Sequence, residues 1–281
     1  YCLHEVALVS EDLGFFINTV MFLETPSVVI IGAFAIASAY MAKQGIEVMG
    51  RWAEILLLVP VILVILISLL LIPKIDFHNI LPIGYEGAKP ILEGAFLTWG
   101  FPFVSIVAFL GVFQFSHEKN SPYKIYLTGF LIGAVLLFIV YNLVILVLGN
   151  YLASTLYYPT YAVVSRISIG NFLQRLDVIA AIIYLIGIYV QVSVCLLGTC
   201  KGICKLCNCN DYRFIVWPVT FFAVNLTTYE SNSIMSFFEF AIDIWPYYVL
   251  PFEFFIPLLV WVVAEIKMRR VRKKAASPPS A

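Results

Sequence analysis

Charged side chains are scarce in this sequence: Asp, Glu, Lys and Arg make up 12% of its 281 residues, and the formal net charge is zero. A soluble domain carries about 25% charged residues, so the composition excludes a soluble globular enzyme, a disordered chain and a nucleic-acid-binding protein. Hydrophobic residues make up 62% of the chain, and the mean hydropathy is +0.97. These values predict an all-α polytopic membrane protein, because lipid does not tolerate unpaired backbone polar groups.

The sequence also lacks the motifs of common enzymes. It has no nucleophile elbow, metalloprotease helix, phosphate loop or dinucleotide-binding glycines. Four of the six cysteines, between Cys200 and Cys209, have the spacing C-x3-C-x2-C-x-C. This differs from the usual paired spacing of zinc ligands, so inert thiols at a helix end are favoured over zinc binding or lipidation. We expect no enzyme activity, cofactor or metal.

Seven apolar runs are close to the ~20 residues that cross a bilayer. A shorter run, 13–23, belongs to a partial span over 1–23, which is either an interfacial helix or part of a span in an N-terminally truncated chain. The second interpretation is favoured. We therefore expect one transmembrane domain over 1–268 and a basic, disordered tail over 269–281. The predicted full spans lie near 26–43, 52–72, 92–116, 124–149, 177–202, 213–229 and 245–267.

The Lys and Arg residues indicate the orientation of the spans. One alternating set of loops, including the C-terminal tail, holds thirteen of these residues, and the other set holds four. Basic loops stay in the cytoplasm, so the C-terminus is predicted to be cytoplasmic. Two amphipathic stretches, 165–173 and 231–242, are each expected to form a helix on the outer surface or an apolar loop packed on helix ends.

One predicted span contains Gly and Pro near its middle, in the stretch from Thr98 to Phe103. Pro102 removes a backbone donor and frees the carbonyl of Thr98, and Gly100 adds backbone freedom. Such a broken span favours a transporter-type binding site, although a simple proline kink is the alternative. Two other polar groups lie within apolar spans. Gln191 needs a hydrogen-bond partner there, and Glu253 is either structural or functional.

Several stretches together resemble the spore germination permease family, the B subunits of GerA-type germinant receptors in the amino acid–polyamine–organocation transporter superfamily. They occur in order along nearly the whole chain, and no single one is specific. The strongest is YPTYAVVSRISIGNFLQRLD over 158–177. The others are Thr25-Pro26, GIEVMGRWAE over 45–54, LPIGYEGAKPILEGAF over 81–96, Phe101-Pro102-Phe103, and DYRFIVWP over 211–218.

The resemblance implies a leucine-transporter-type inverted-repeat fold of ten spans, in which this chain begins inside the third and its seven full spans match the fourth to tenth. The broken span would then be the sixth. The family tends to have an acidic residue soon after the Phe-Pro-Phe break, where this chain has Val104-Ser105. A proton or cation role for an acid at that position is therefore not expected here.

The resemblance also implies a function: a subunit in the spore inner membrane that senses a small nutrient, such as an amino acid, together with A-type and C-type partner subunits. A secondary amino-acid transporter or an ion or water channel of the same superfamily is the alternative. Ligand contacts are expected on the broken helix, the truncated first helix and the 177–202 span. The candidates are Thr98, Gly100, Ser105, Asn18, Tyr184 and Gln191.

Overall fold

The computed structural model describes residues 1–85, 87–111, 122–167, 176–231 and 233–276. All regular secondary structure in these residues is helical, as the composition predicts. The α-helices are α1 (Cys2–Val20), α2 (Ser27–Gln44), α3 (Ile46–Leu71), α4 (Ala88–Thr98), α5 (Pro122–Leu148), α6 (Asn150–Thr155), α7 (Pro159–Val164), α8 (Asp177–Leu206), α9 (Val216–Glu230), α10 (Ile234–Glu239), α11 (Trp245–Leu250) and α12 (Ile256–Ala276).

Six helical segments among the described residues are long and apolar enough to cross a membrane, and they coincide with six of the seven predicted spans. The seventh prediction, 213–229, corresponds to α9, which has only 15 residues. At 1.5 Å per residue α9 is about 22 Å long, less than the ~30 Å hydrocarbon core. The six segments are Ser27–Gln44, Ile46–Lys74, Ala88–Phe109, Lys124–Leu148, Asp177–Leu206 and Ile234–Arg269.

The largest core lies where α1, α2, α8 and α9 pack against one another. Most of α1 is buried, including Leu13 at 0% exposure, so the interpretation of this segment as an interfacial helix is wrong. A second core joins α3, α5, α7 and α8 through residues such as Leu71, Val144 and Val163. A third joins the start of α1 to α10 and α11.

The outer faces of α3, α5 and α12 carry large apolar side chains that are exposed among the described residues. In a protein with this composition these faces contact lipid, because water would not solvate them. Exposed examples are Leu57, Leu58, Ile62, Ile132, Phe138, Leu259 and Trp261.

The last helical segment begins earlier and ends later than the sequence predicts. A capping box at Ser233 starts α10, and the chain then continues through π-helical turns at Phe240–Ile244 and Pro251–Phe255 into α12. The stretch 231–242 is therefore the beginning of this segment. Residues 269–276, which were expected to be disordered, are also helical, since their Arg, Lys and Ala residues favour helix.

Two expectations fall wholly or largely outside the described residues. Residues 168–173 of the predicted surface helix at 165–173 are not among the described residues. Residues 277–281 of the predicted tail are also outside the described part of the chain. Nearby, the connection between α5 and α8 contains the short helices α6 and α7.

Candidate functional site

The span containing Gly100 and Pro102 is interrupted, as the sequence predicts. α4 ends at Thr98, a wide turn covers Trp99–Phe103, and a 3₁₀ segment follows over Val104–Gly111. Phe101 has extended torsion angles, φ −159° and ψ 118°. A residue that precedes proline is pushed out of the helical region by contact with the proline ring, which explains the position of the break.

Gly100 allows the broken helix to approach α11 closely. A Cβ added to Gly100 would lie 3.1 Å from both Cα and Cβ of Pro246. Thr98, one turn earlier than the break, is exposed, and its hydroxyl donates to the Gly94 carbonyl at 2.8 Å. Gly100 thus has a packing role, and Thr98 bonds within its own helix.

A cavity of about 290 Å³ lies between the 3₁₀ segment, α5 and α8. Ser105 lines it from the broken helix and Gln191 from α8, while Gly129 and Gly133 form part of the α5 wall. The Ser105 side chain is only 9% exposed, and its hydroxyl has no hydrogen-bond partner among the described residues. The cavity therefore combines an apolar lining with polar groups at two points, which is typical of a small-molecule site.

The partner of Gln191 is Glu5 of α1. The Gln191 Nε2 atom donates to Glu5 Oε1 at 3.2 Å, and Glu5 is 1% exposed. This is a helix–helix hydrogen bond between α8 and α1, and it does not involve the broken helix. Gln191 therefore links the cavity to the central core.

Tyr184 and Asn18 lie elsewhere. Tyr184 donates a hydrogen bond to Asp12 of α1, and Tyr158 donates to the same carboxylate at 3.1 Å. The Asn18 amide donates to Ser27 at the start of α2. The structure thus places Ser105 and Gln191 on one cavity. Tyr184 and Asn18 instead hold α1 to its neighbours.

Sequence reasoning missed the acidic residues of α1. Glu5 and Asp12 are seven residues apart, and their partners Gln191 and Tyr184 are also seven apart on α8, in the opposite order. The two helices therefore run antiparallel and share two polar contacts separated by two turns. The i, i+7 spacing of acids in an apolar helix was a signal that both face one neighbour.

Glu253 is also buried, at 4% exposure, and it accepts a hydrogen bond from the Tyr1 hydroxyl. It lies in the π-helical turn before α12 and therefore inside the last spanning segment. The sequence alone does not decide whether Glu253 is structural or functional.

Comparison with known proteins identifies the family. A family model described as "Spore germination protein" matches residues 1–234. The chain belongs to this spore germination protein family. The resemblance inferred from the sequence stretches is thus confirmed, and the spanning helices make the chain a multi-pass membrane protein.

Individual relatives agree with this assignment. Spore germination protein KB of Bacillus subtilis (strain 168) is 26% identical over 277 residues, which cover 97% of this chain and 74% of the relative. The putative spore germination protein YfkT of the same strain is 28% identical over 273 residues, covering 95% and 74%. Spore germination protein XB of Bacillus anthracis is 24% identical over 179 residues, covering 61% and 48%. No solved structure matches the chain.

Proposed function

We propose that this protein is the membrane subunit of a spore germinant receptor, and that a small nutrient such as an amino acid binds in the cavity between the broken helix and α8. Ser105 and Gln191 are the direct ligand contacts. Gly100 shapes the cavity by setting the position of the broken helix, while Thr98, Tyr184 and Asn18 do not reach the ligand.

The observation that carries this proposal is the unpaired hydroxyl of Ser105 beside the cavity. A buried hydroxyl without a partner costs free energy, on the order of 1–3 kcal/mol. A ligand that bonds to it recovers this energy. The cavity volume of about 290 Å³ suits a small molecule rather than a large cofactor.

Gln191 connects the ligand site to the core of the protein through a hydrogen bond. Its amide donates to Glu5 at 3.2 Å, and it also lines the cavity. A ligand that attracts the Gln191 amide competes with Glu5 for it and so weakens the contact between α1 and α8. Ligand binding shifts the receptor between two states only through this kind of differential contact.

The same proposal includes the membrane, the partner subunits, the orientation and the fold of the protein. It works in the spore inner membrane with A-type and C-type receptor subunits, has its C-terminus in the cytoplasm, and adopts the leucine-transporter-type inverted-repeat fold. The family match and the six apolar helices support this assignment.

The test is the germination response of spores carrying Gln191→Leu, measured against a mixture of the standard amino acids. We expect the dose-response curve to move to higher concentration while the amount of protein in the membrane stays normal. Asn225→Leu is the matched control, because Asn225 is an exposed amide that bonds only within its own helix, to the Phe221 carbonyl at 2.8 Å. A normal curve for Gln191→Leu at normal abundance would contradict the proposal.

A second measurement distinguishes a receptor that only senses the nutrient from a secondary transporter. Membrane vesicles containing the protein are supplied with radiolabelled amino acids, and uptake is compared with vesicles that lack it. A receptor that only senses the nutrient gives no net uptake, whereas a secondary transporter does.

A further inference from the structure

Two carboxyl groups meet in the interior of the bundle. Glu5 comes from α1 and Glu253 from the last spanning segment, and they are 1% and 4% exposed. The Tyr1 hydroxyl donates to Glu253 and also interacts with Glu5. This places both acids around one aromatic side chain.

Each of these acids is satisfied at one oxygen only. Glu5 Oε1 accepts from the Gln191 amide, and Glu253 Oε1 accepts from Tyr1. The second oxygen of each carboxyl group, Oε2, is buried and has no hydrogen-bond partner among the described residues. Both donors are neutral groups, so each stabilises a carboxylate by a hydrogen bond but supplies no positive charge.

No cation pairs with either acid in the part of the chain that the structure describes. The ion pairs found there use other acids, namely Glu93 with Lys89 and Glu265 with Arg269, and the imidazole of His4 contacts Glu230. The other titratable groups that face the pair are Tyr1, which precedes α1, Cys2 of α1 and Cys195 of α8. All three are neutral at ordinary pH.

An unpaired carboxylate in an apolar interior costs so much free energy that the group takes up a proton instead. Two neighbouring carboxylates increase this cost, because like charges repel. A hard metal cation such as Ca²⁺ would need six to eight oxygen ligands, and two free carboxylate oxygens are too few. A proton needs only one of them.

We propose that Glu5 and Glu253 form a proton-binding site inside the membrane. The site is independent of the nutrient proposal, although it lies one hydrogen bond from the cavity through Gln191. Ionisable groups within membrane bundles commonly serve as proton relays, and this pair gives the protein such a group.

Infrared spectroscopy tests this directly on the full chain in lipid nanodiscs without nutrient. We expect the C=O stretching band of a protonated carboxylic acid at neutral pH, where exposed carboxylates are ionised. Glu5→Gln and Glu253→Gln should each reduce the band, since each removes one member of the pair. Glu93→Gln is the control and should leave it unchanged, because the Glu93 side chain is 63% exposed and paired with Lys89.

The wild-type spectrum can overturn the proposal even if a variant does not fold, whereas the variants are needed to assign the band, because Glu11 is also a buried acid. Absence of a protonated-acid band at neutral pH would overturn the proposal. Loss of the band on adding K⁺ or Na⁺ would also overturn it, because the pair would then be an ionised cation site. A band of full intensity in the folded Glu5→Gln, Glu253→Gln double variant would assign the proton to another group.

Discussion

At the scale of single residues, Gly100 and Gln191 have roles that the sequence only partly predicts. Proline at 102 and glycine at 100 predict the position of the helix break, because both act through local backbone geometry. The sequence suggests backbone freedom as the role of Gly100, but the structure adds the contact with Pro246, 146 positions later in the chain. Gln191 was predicted to need a partner, yet the partner Glu5 is 186 positions away. Local patterns carry no information on such pairings.

Gly100 provides a stability prediction. In Gly100→Ala the new Cβ meets Pro246 at 3.1 Å, including a backbone atom, so the broken helix and α11 must separate. Overpacking of this kind costs about 1–3 kcal/mol, and we expect a lower thermal unfolding midpoint in detergent. Gly94→Ala is the control on the same helix, because a Cβ there meets nothing within 4 Å. An unchanged midpoint for Gly100→Ala would show that the contact does not limit the packing.

At the scale of helices, hydropathy predicts six of the spanning segments but does not show how α1 and α9 pack. α1 contains Glu5, Glu11 and Asp12 and was read as a partial span, yet it lies at the centre of the bundle. α9 was predicted to span and is 15 residues long. Most of α1 is buried against protein, whereas α9 buries five of its fifteen residues and exposes aromatic side chains such as Phe221 and Phe222. Their positions therefore depend on long-range contacts that the pattern does not contain.

The orientation of α8 provides a prediction for a whole element. Its C-terminal end and the following loop are basic, so we expect them in the cytoplasm. Cys207 is exposed at this end, and a membrane-impermeant maleimide should label it in inverted vesicles but not in right-side-out vesicles. Cys207→Ser should reduce the labelling, which distinguishes it from Cys209. Labelling of Cys207 from the outside would reverse the proposed topology.

At the scale of the whole molecule, lipid-facing helices surround a central bundle that contains polar contacts. The Glu5–Gln191 and Asp12–Tyr184 bonds hold α1 against α8, and the cavity lies beside this contact, on an adjacent face of α8 and next to the broken helix. Gln191 belongs to both regions. In the proposed function, a ligand in the cavity acts on the central bundle through Gln191.

The central claim is that the nutrient occupies this cavity, and filling the cavity tests it most directly. Gly133 lines the cavity, and a Cβ added there meets nothing within 4 Å. In Gly133→Leu the new side chain enters open space, so we expect normal folding and membrane abundance. Gly32→Leu is the control, because Gly32 of α2 has the same open surroundings and does not line the cavity.

The measurement is the germination dose-response of spores carrying each variant, with the mixture of standard amino acids as the stimulus and membrane abundance measured in parallel. We predict that Gly133→Leu shifts the response to at least tenfold higher concentration, which corresponds to about 1.4 kcal/mol of lost binding free energy, while Gly32→Leu leaves it unchanged. A wild-type response from Gly133→Leu at normal abundance would contradict the account, because the nutrient could not then depend on the space that the leucine fills.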